Sequence, residues 1–405
     1  MQSVLLVYNA AADSIPVLFT NSISANNSEQ IYKLIHKIIE ISHENNYANG
    51  NLWQNFLTHF ILSNENIFSL SCERKNPPEG SLKYLVMNDF ALFMKLFNLQ
   101  HQSMNIIQNF VGHEKIENYS PICEFSKLLA VSKTPEEFYE YVTGFYRNYG
   151  VGMFALNKAF RLDNNRLIPV KNQNVGDVKL SDIVGYEAQK QELISNTEAF
   201  ISGRPANNVL LYGDGGTGKS TSIKALLNEY FIEGLRIVEI YKHQFREILK
   251  LTGALRGRNY KFIIFIDDLS FEENESDYKY LKAIIEGGIE TRPENILIYA
   301  TSNRRHIVRE IWKDRDDMEH NGDIHRSDTV EEKLSLASRF GIAINYSSPT
   351  RQNYHEIVKT LAKKSGLEID EEKLISGSDR WEIRHGGMTG RAARQYIDYL
   401  LGKKI

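Results

Sequence analysis

The 405-residue sequence predicts an α/β protein whose parallel sheet is organised about a phosphate loop, with a mainly helical region before it and a smaller helical one after it. Three observations carry that expectation. Residues 207–230 read as strand, glycine-rich loop and helix in direct succession. Residues 261–266 are almost wholly apolar and end in Asp267-Asp268, as a strand covered on both faces should. Further apolar runs at 236–241, 295–300 and 342–346 alternate with stretches of helical spacing, the pattern of repeated βα units.

The loop comes first because its chemistry is the most specific. Gly213-Asp214-Gly215-Gly216-Thr217-Gly218-Lys219-Ser220 is a complete G-x-x-x-x-G-K-[ST] match, followed by Thr221 and by Ile223, Leu226, Leu227 and Tyr230 at helical spacing. Glycines at 213, 215, 216 and 218 let the backbone curl so that successive N–H groups face phosphate oxygens. The positive end of the following helix points at the same place. Lys219 supplies a point charge for the β- and γ-phosphates, and the Ser220 hydroxyl suits one position on Mg²⁺. A nucleoside triphosphate is the expected ligand. A carboxylate at the tip of the next buried strand is where Mg²⁺ is held, usually through water. Asp267 fits that role, and Asp268 is then placed to polarise water. Asp268 reads alternatively as a loop or N-cap carboxylate, with Glu272 and Glu273 as further candidate bases.

The totals bound the rest. Hydrophobic content of 42% and charged content of 24% are ordinary for a globular chain, and the length suggests two or three domains. A net charge of −3 gives no global attraction to nucleic acid or anionic membrane. Cys72 and Cys123 are too few for a disulfide framework and lack metal-ligand spacing, which fits a reducing cytoplasm. The opening residues lack a basic region before their apolar run, so no signal peptide is expected. Nowhere does an apolar run reach membrane-spanning length.

Residues 1–170 predict a mainly helical domain without identifiable chemistry. Ile31, Leu34, Ile35, Ile38 and Ile39 share one helix face, and 52–62 forms a second apolar helix. A third, over 82–99, is apolar nearly all round and reads as buried inside the domain. Thr134-Pro135-Glu136-Glu137 is a helix start, and the aromatic stripe after it reads as core. The polar stretch 163–177 marks a boundary. Arg304, Arg305 and Arg309 form a small basic cluster, and the acidic stretch 313–325, despite two histidines, matches no metal-ligand spacing and reads as an exposed loop.

Over residues 182–402 the segments GRPANNVLLYGDGGTGKS, IDDLSFEE, ILIYATSNRRH, VEEKLSLASRFG and MTGRAARQYIDYL resemble the AAA+ ATPases. Within them they resemble a group of bacterial ATP-binding proteins, the DUF815 family. The resemblance implies an α/β core over 178–347 with strand order 5-1-4-3-2 and a helical lid over 348–405. It implies that Ile183, Val184 and Gly185 lie against the adenine ring, and that Asn303 orients water near the γ-phosphate. Arg339, before the last core strand, takes the place of an arginine finger presented to the next subunit. Arg391 takes that of a lid sensor, with Arg394 as the alternative. Most AAA+ chains carry Glu where this one has Asp268, but paired aspartates belong to the DUF815 pattern.

The reading is a cytoplasmic Mg-ATP-dependent ATPase, a homo-oligomer acting on an unknown protein client. The alternatives are a nucleotide-gated adaptor or loader that hydrolyses poorly, and a nucleic-acid motor supported only by Arg304 and Arg305.

Overall fold

The computed structural model describes residues 5–8, 14–25, 27–45, 47–111, 121–164, 166–170, 175–270, 280, 281, 285, 293–303 and 339–403. The chain divides into two compact units, Met1–Leu156 and Asn157–Ile405.

The first unit is helical among its described residues: α1 (Ile15–Ser24), α2 (Ser28–Glu44), α3 (Leu52–Ser63), α4 (Ile67–Glu73), α5 (Gly80–Phe97), α6 (Asn105–Gln108), α7 (Pro121–Ala130), α8 (Pro135–Tyr149) and α9 (Met153–Leu156). Short polar side chains open several of them: Asn27, Asn51, Asn66 and Thr134 each accept a backbone N–H of the first turn. The aromatic stripe of α8 is core. Phe138, Val142 and Tyr146 are fully buried, and Tyr146 meets Phe68 edge-on at 5.9 Å. One expectation needs correcting. Helix α5 is not enclosed all round: it buries Val86, Phe90, Phe93 and Phe97 but leaves Tyr84 76% exposed. The acid on its buried face has a reason to be there. Asp89 is fully buried and accepts the backbone N–H groups of Leu6, Val7 and Tyr8 at 2.8–3.0 Å, which satisfies an otherwise orphaned turn.

The second unit is built on a seven-stranded sheet: β1 (Ala159–Asp163), β2 (Arg166–Val170), β3 (Val209–Gly213), β4 (Leu235–Glu239), β5 (Lys261–Ile266), β6 (Ile296–Ser302) and β7 (Ile342–Tyr346). Their spatial order is β2-β1-β4-β5-β6-β3-β7. Counted from the loop strand β3, the neighbours β7-β3-β6-β5-β4 are the expected 5-1-4-3-2, all paired in parallel. The other two strands lie where the mainly helical domain was expected to run to 170 and the boundary to fall at 163–177; they belong to the second unit, which begins at Asn157. β1 and β2 form an antiparallel hairpin, and β1 continues the sheet in parallel beside β4. The cause is local. Alternation of Phe160 and Leu162 inward with Arg161 and Asp163 outward suits a half-buried strand, and β4 would otherwise present an unpaired edge.

Helices α10 (Glu187–Ile201), α11 (Lys219–Tyr230) and α12 (Ile248–Leu255) flank this sheet. Leu226, Leu193, Leu211, Ile263 and Tyr299 belong to one buried cluster of this unit. After β7 come α13 (Arg351–Lys364), α14 (Glu371–Arg384) and α15 (Gly390–Gly402), opened by Thr350, Asp370 and Thr389 as N-caps. They enclose a second, separate cluster of Tyr354, Val358, Leu374, Ala393 and Ile397. That is the helical lid expected from the sequence. No described helix is long and apolar enough to cross a membrane.

Candidate functional site

β3 runs straight into the phosphate loop. Gly213, its last residue, has φ +131°, and a methyl group there would lie 2.3 Å from the Tyr346 carbonyl oxygen of β7. Only glycine lets the two backbones meet so closely. The Asp214 N–H then donates to that same carbonyl at 3.1 Å. Thr217 Oγ1 donates to the Asp214 carbonyl at 2.9 Å, closing the loop, and Gly218 (φ +98°) turns it into α11. The exposed Gly215 and half-buried Gly216 lie between these fixed points.

Lys219 is the first residue of α11 and is 5% exposed. Its Nζ donates to the carbonyls of Asp214 (2.6 Å) and Gly213 (3.1 Å). Burial pulls its pKa below the ordinary lysine value, opposed by the charges of Asp214, Asp268 and Asp267. The ammonium thus lies folded onto the loop that would receive phosphate, with three carboxylates around it.

The facing wall is a chain of hydrogen bonds across β5 and β6. Ile266 pairs with Ala300, which brings Thr301 beside Asp267. Ser220 Oγ and Thr301 Oγ1 both donate to Asp267 Oδ1, at 2.6 and 2.5 Å. The Asp268 N–H donates to Thr301 Oγ1 at 3.0 Å, and Asn303 Nδ2 donates to Asp268 Oδ1 at 3.0 Å. Asp268 has φ +53°, a left-handed conformation uncommon outside glycine. Ser220, Asp267, Asp268 and Asn303, separated by up to 83 positions in sequence, therefore form one connected group. Ser220 and Asp267 present hard oxygen atoms to the same point, the donor set that suits Mg²⁺. Among the described residues no group of three or more His, Cys, Asp or Glu side chains is placed to hold a metal.

Two further segments border the loop. Ile183 is 9% exposed and lies 3.7 Å from where a methyl on Gly218 would stand, while Val184 packs on the lid cluster. Gly185 (φ +77°) and Tyr186 (φ +60°) then turn the chain, and Tyr186 stacks on Tyr346 at 5.0 Å. From the lid, the Arg391 N–H donates to the Gly216 carbonyl at 3.3 Å, and a methyl on Gly216 would lie 3.0 Å from Arg391 Cβ. Arg391 and Arg394 are both exposed, and Arg339 stands half-buried in the turn before β7. Thr221 continues the first turn of α11.

Two contributors were not singled out by the sequence reading. Thr301 bridges both aspartates. Ser348 donates its N–H and Oγ to Asp214 Oδ2 at 2.8 and 2.7 Å, tying the loop to the segment between β7 and the lid. Tyr186 adds a second tie by donating to the Ser347 carbonyl at 2.7 Å. Glu272, Glu273, Arg304, Arg305, Arg309 and the stretches 313–325 and 329–337 lie outside the described residues.

A parallel sheet in this order, a phosphate loop after its second strand in space and a three-helix lid define a P-loop nucleotide-binding core of the AAA+ class. The chain belongs to the DUF815 family, described as "Protein of unknown function", whose model matches residues 155–404. Among curated proteins it is similar to the ATP-dependent zinc metalloprotease FtsH 2 of Salinibacter ruber, with 25% identity over 257 residues, 55% of this chain and 35% of that protein. It is also similar to the replication factor C large subunit of Staphylothermus marinus, with 38% identity over 119 residues, 26% of each chain. It therefore spans about a third or less of the length of these relatives. A solved structure that matches is the RuvB Holliday junction branch migration motor of Thermotoga maritima, at 20% identity and a TM-score of 0.38, over 56% of this chain and 64% of that one.

Proposed function

We propose that the protein is an ATPase that binds Mg-ATP in the phosphate loop, hydrolyses it, and passes the change to its lid and to a neighbouring copy in a homo-oligomer. The observation that carries this reading is the unbroken hydrogen-bonded group Ser220–Asp267–Thr301–Asp268–Asn303 at the mouth of the loop. A structural glycine turn has no need of a carboxylate pair held this way.

In this reading the backbone N–H groups of Gly215 to Thr221 cradle the phosphates, with Gly213 and Asp214 holding the loop to β7, and Lys219 leaves its two carbonyls for β- and γ-phosphate oxygens. Ser220 and Asp267 hold Mg²⁺, which when bound offsets phosphate charge. Asp268 accepts a proton from the attacking water, whose oxygen bonds to the γ-phosphorus as the β–γ bridging oxygen departs with ADP. Asn303 fixes the Asp268 carboxylate and the water. Ile183, Val184 and Gly185 supply an apolar seat for adenine, supported by their place between loop and lid. Arg391 reaches the γ-phosphate from the lid, and Arg339 serves the site of the next subunit. The client is a protein, and the compartment is the cytoplasm.

Phosphate release by the purified full chain, measured with and without duplex DNA, tests the reading. The expected result is Mg²⁺-dependent hydrolysis that DNA leaves unchanged. ATP binding without release would favour a nucleotide-gated adaptor, and strong stimulation by DNA a nucleic-acid motor.

A further inference from the structure

Thr301 sits two residues before Asn303, one position beyond the apolar run expected at 295–300 and inside β6. It is 2% exposed, so it cannot touch a nucleotide, yet its hydroxyl joins the two aspartates on which the site depends. That hydroxyl has one proton and gives it to Asp267 Oδ1 at 2.5 Å. With a lone pair it accepts the Asp268 N–H at 3.0 Å. The backbone adds a third tie, since the Leu269 N–H donates to the Thr301 carbonyl at 2.7 Å.

These ties do two separate things. The bond to Asp267 orients one carboxylate oxygen, which Ser220 also meets at 2.6 Å. When the Ser220 hydroxyl turns to a cation, the buried Thr301 hydroxyl still fixes Asp267. The bond from Asp268 N–H holds that residue at φ +53°, a conformation unfavourable for a non-glycine residue that persists only where the surroundings over-determine it. Releasing it would let the Asp268 backbone relax toward extended geometry and carry its carboxylate away from Asn303 Nδ2, now 3.0 Å distant.

We propose that Thr301 is a positioning residue, its buried hydroxyl setting the Mg²⁺-holding orientation of Asp267 and the water-facing orientation of Asp268 together. This inference rests on the ATPase reading above and adds to it the group that aligns the two acids.

The test uses Thr301→Val, which keeps the shape and removes the hydroxyl, beside Thr301→Ser, which keeps the hydroxyl. Both are made in the full chain, with Asp268→Asn as the reference. Steady-state phosphate release gives kcat and KM, and calorimetry gives ADP affinity with and without Mg²⁺. Thr301→Val should lower kcat by about ten- to a hundredfold, the range for losing a hydrogen bond to a charged group. It should also shrink the gain in ADP affinity that Mg²⁺ confers, while leaving metal-free ADP affinity unchanged. Thr301→Ser should restore both. A Thr301→Val protein with wild-type kcat and an intact Mg²⁺-dependent gain, beside an inactive Asp268→Asn, overturns the Thr301 assignment alone. So does a Thr301→Ser protein as impaired as the valine variant, or a valine variant that loses metal-free ADP affinity as well, because either marks a packing defect. An Asp268→Asn protein that hydrolyses ATP normally overturns the reading of the site, and this inference with it.

Discussion

Lys219 donates to two carbonyls of its own loop, at 2.6 and 3.1 Å, and burial draws its pKa down while nearby acids push it back. Such an ammonium is held ready: phosphate oxygens would replace neutral carbonyls with charged acceptors. Lys219→Ala should therefore lose about ten- to a hundredfold in ATP affinity, as expected for about 1.5–3 kcal/mol from a charge-assisted contact. Calorimetry that finds equal affinity contradicts the assignment. This residue was legible because phosphate chemistry dictates the glycines around it and the strand and helix that flank them. Asp267 and Asp268 were legible because they end an apolar strand. Thr301 was not, since its bond to Asp267 spans 34 positions and exists only in the β5–β6 register. Ser348 was hidden for the same reason, its partner Asp214 lying 134 positions away.

At the scale of elements, periodicity found the apolar strands and missed the polar ones. The five parallel strands have long apolar runs, and α2, α3 and α8 have clear faces. The β1–β2 hairpin alternates apolar with charged residues and carries a proline at 169, so it reads as a polar boundary until β4 is seen to need an edge partner. Helix α3 carries a testable electrostatic consequence. His59 packs tilted against Tyr47, whose hydroxyl lies 3.1 Å from Nδ1, and burial lowers its pKa from 6.5 to about 4. Since the folded value lies below the unfolded one, the unfolded chain takes up the proton first as pH falls. The stability present above pH 6.5 is therefore lost between 6.5 and about 4. That gap of about 2.5 pH units corresponds to about 3 kcal/mol. Thermal melts at pH 7 and pH 5 should show His59→Gln with a shallower pH dependence than the wild type. Equal slopes for the two proteins would contradict the assignment.

At the scale of the whole molecule, the loop, the Asp214–Ser348 tie and the Arg391–Gly216 contact put the sheet, the segment after β7 and the lid around one site. Arg339 stands half-buried in the turn before β7, and the role proposed for it is that of a finger for another copy's site. An arginine finger contributes roughly 10³–10⁵ in rate. Arg339→Ala should accordingly bind ATP and scarcely hydrolyse it. Mixed with Lys219→Ala, which keeps its finger, it should regain part of the activity. Co-assembled mixtures that stay inactive would show that Arg339 does not act in trans.

The central claim is that the loop and the paired aspartates form one hydrolytic site, and phosphate release at saturating Mg-ATP by wild type and Asp268→Asn tests it most directly. Asparagine tolerates the left-handed backbone and keeps an oxygen facing Asn303, but it cannot take the proton of water. The prediction is a variant that binds Mg-ATP as the wild type does and releases phosphate at least about a hundredfold more slowly, in the range general-base loss produces. Turnover at the wild-type rate by a folded Asp268→Asn protein would contradict it.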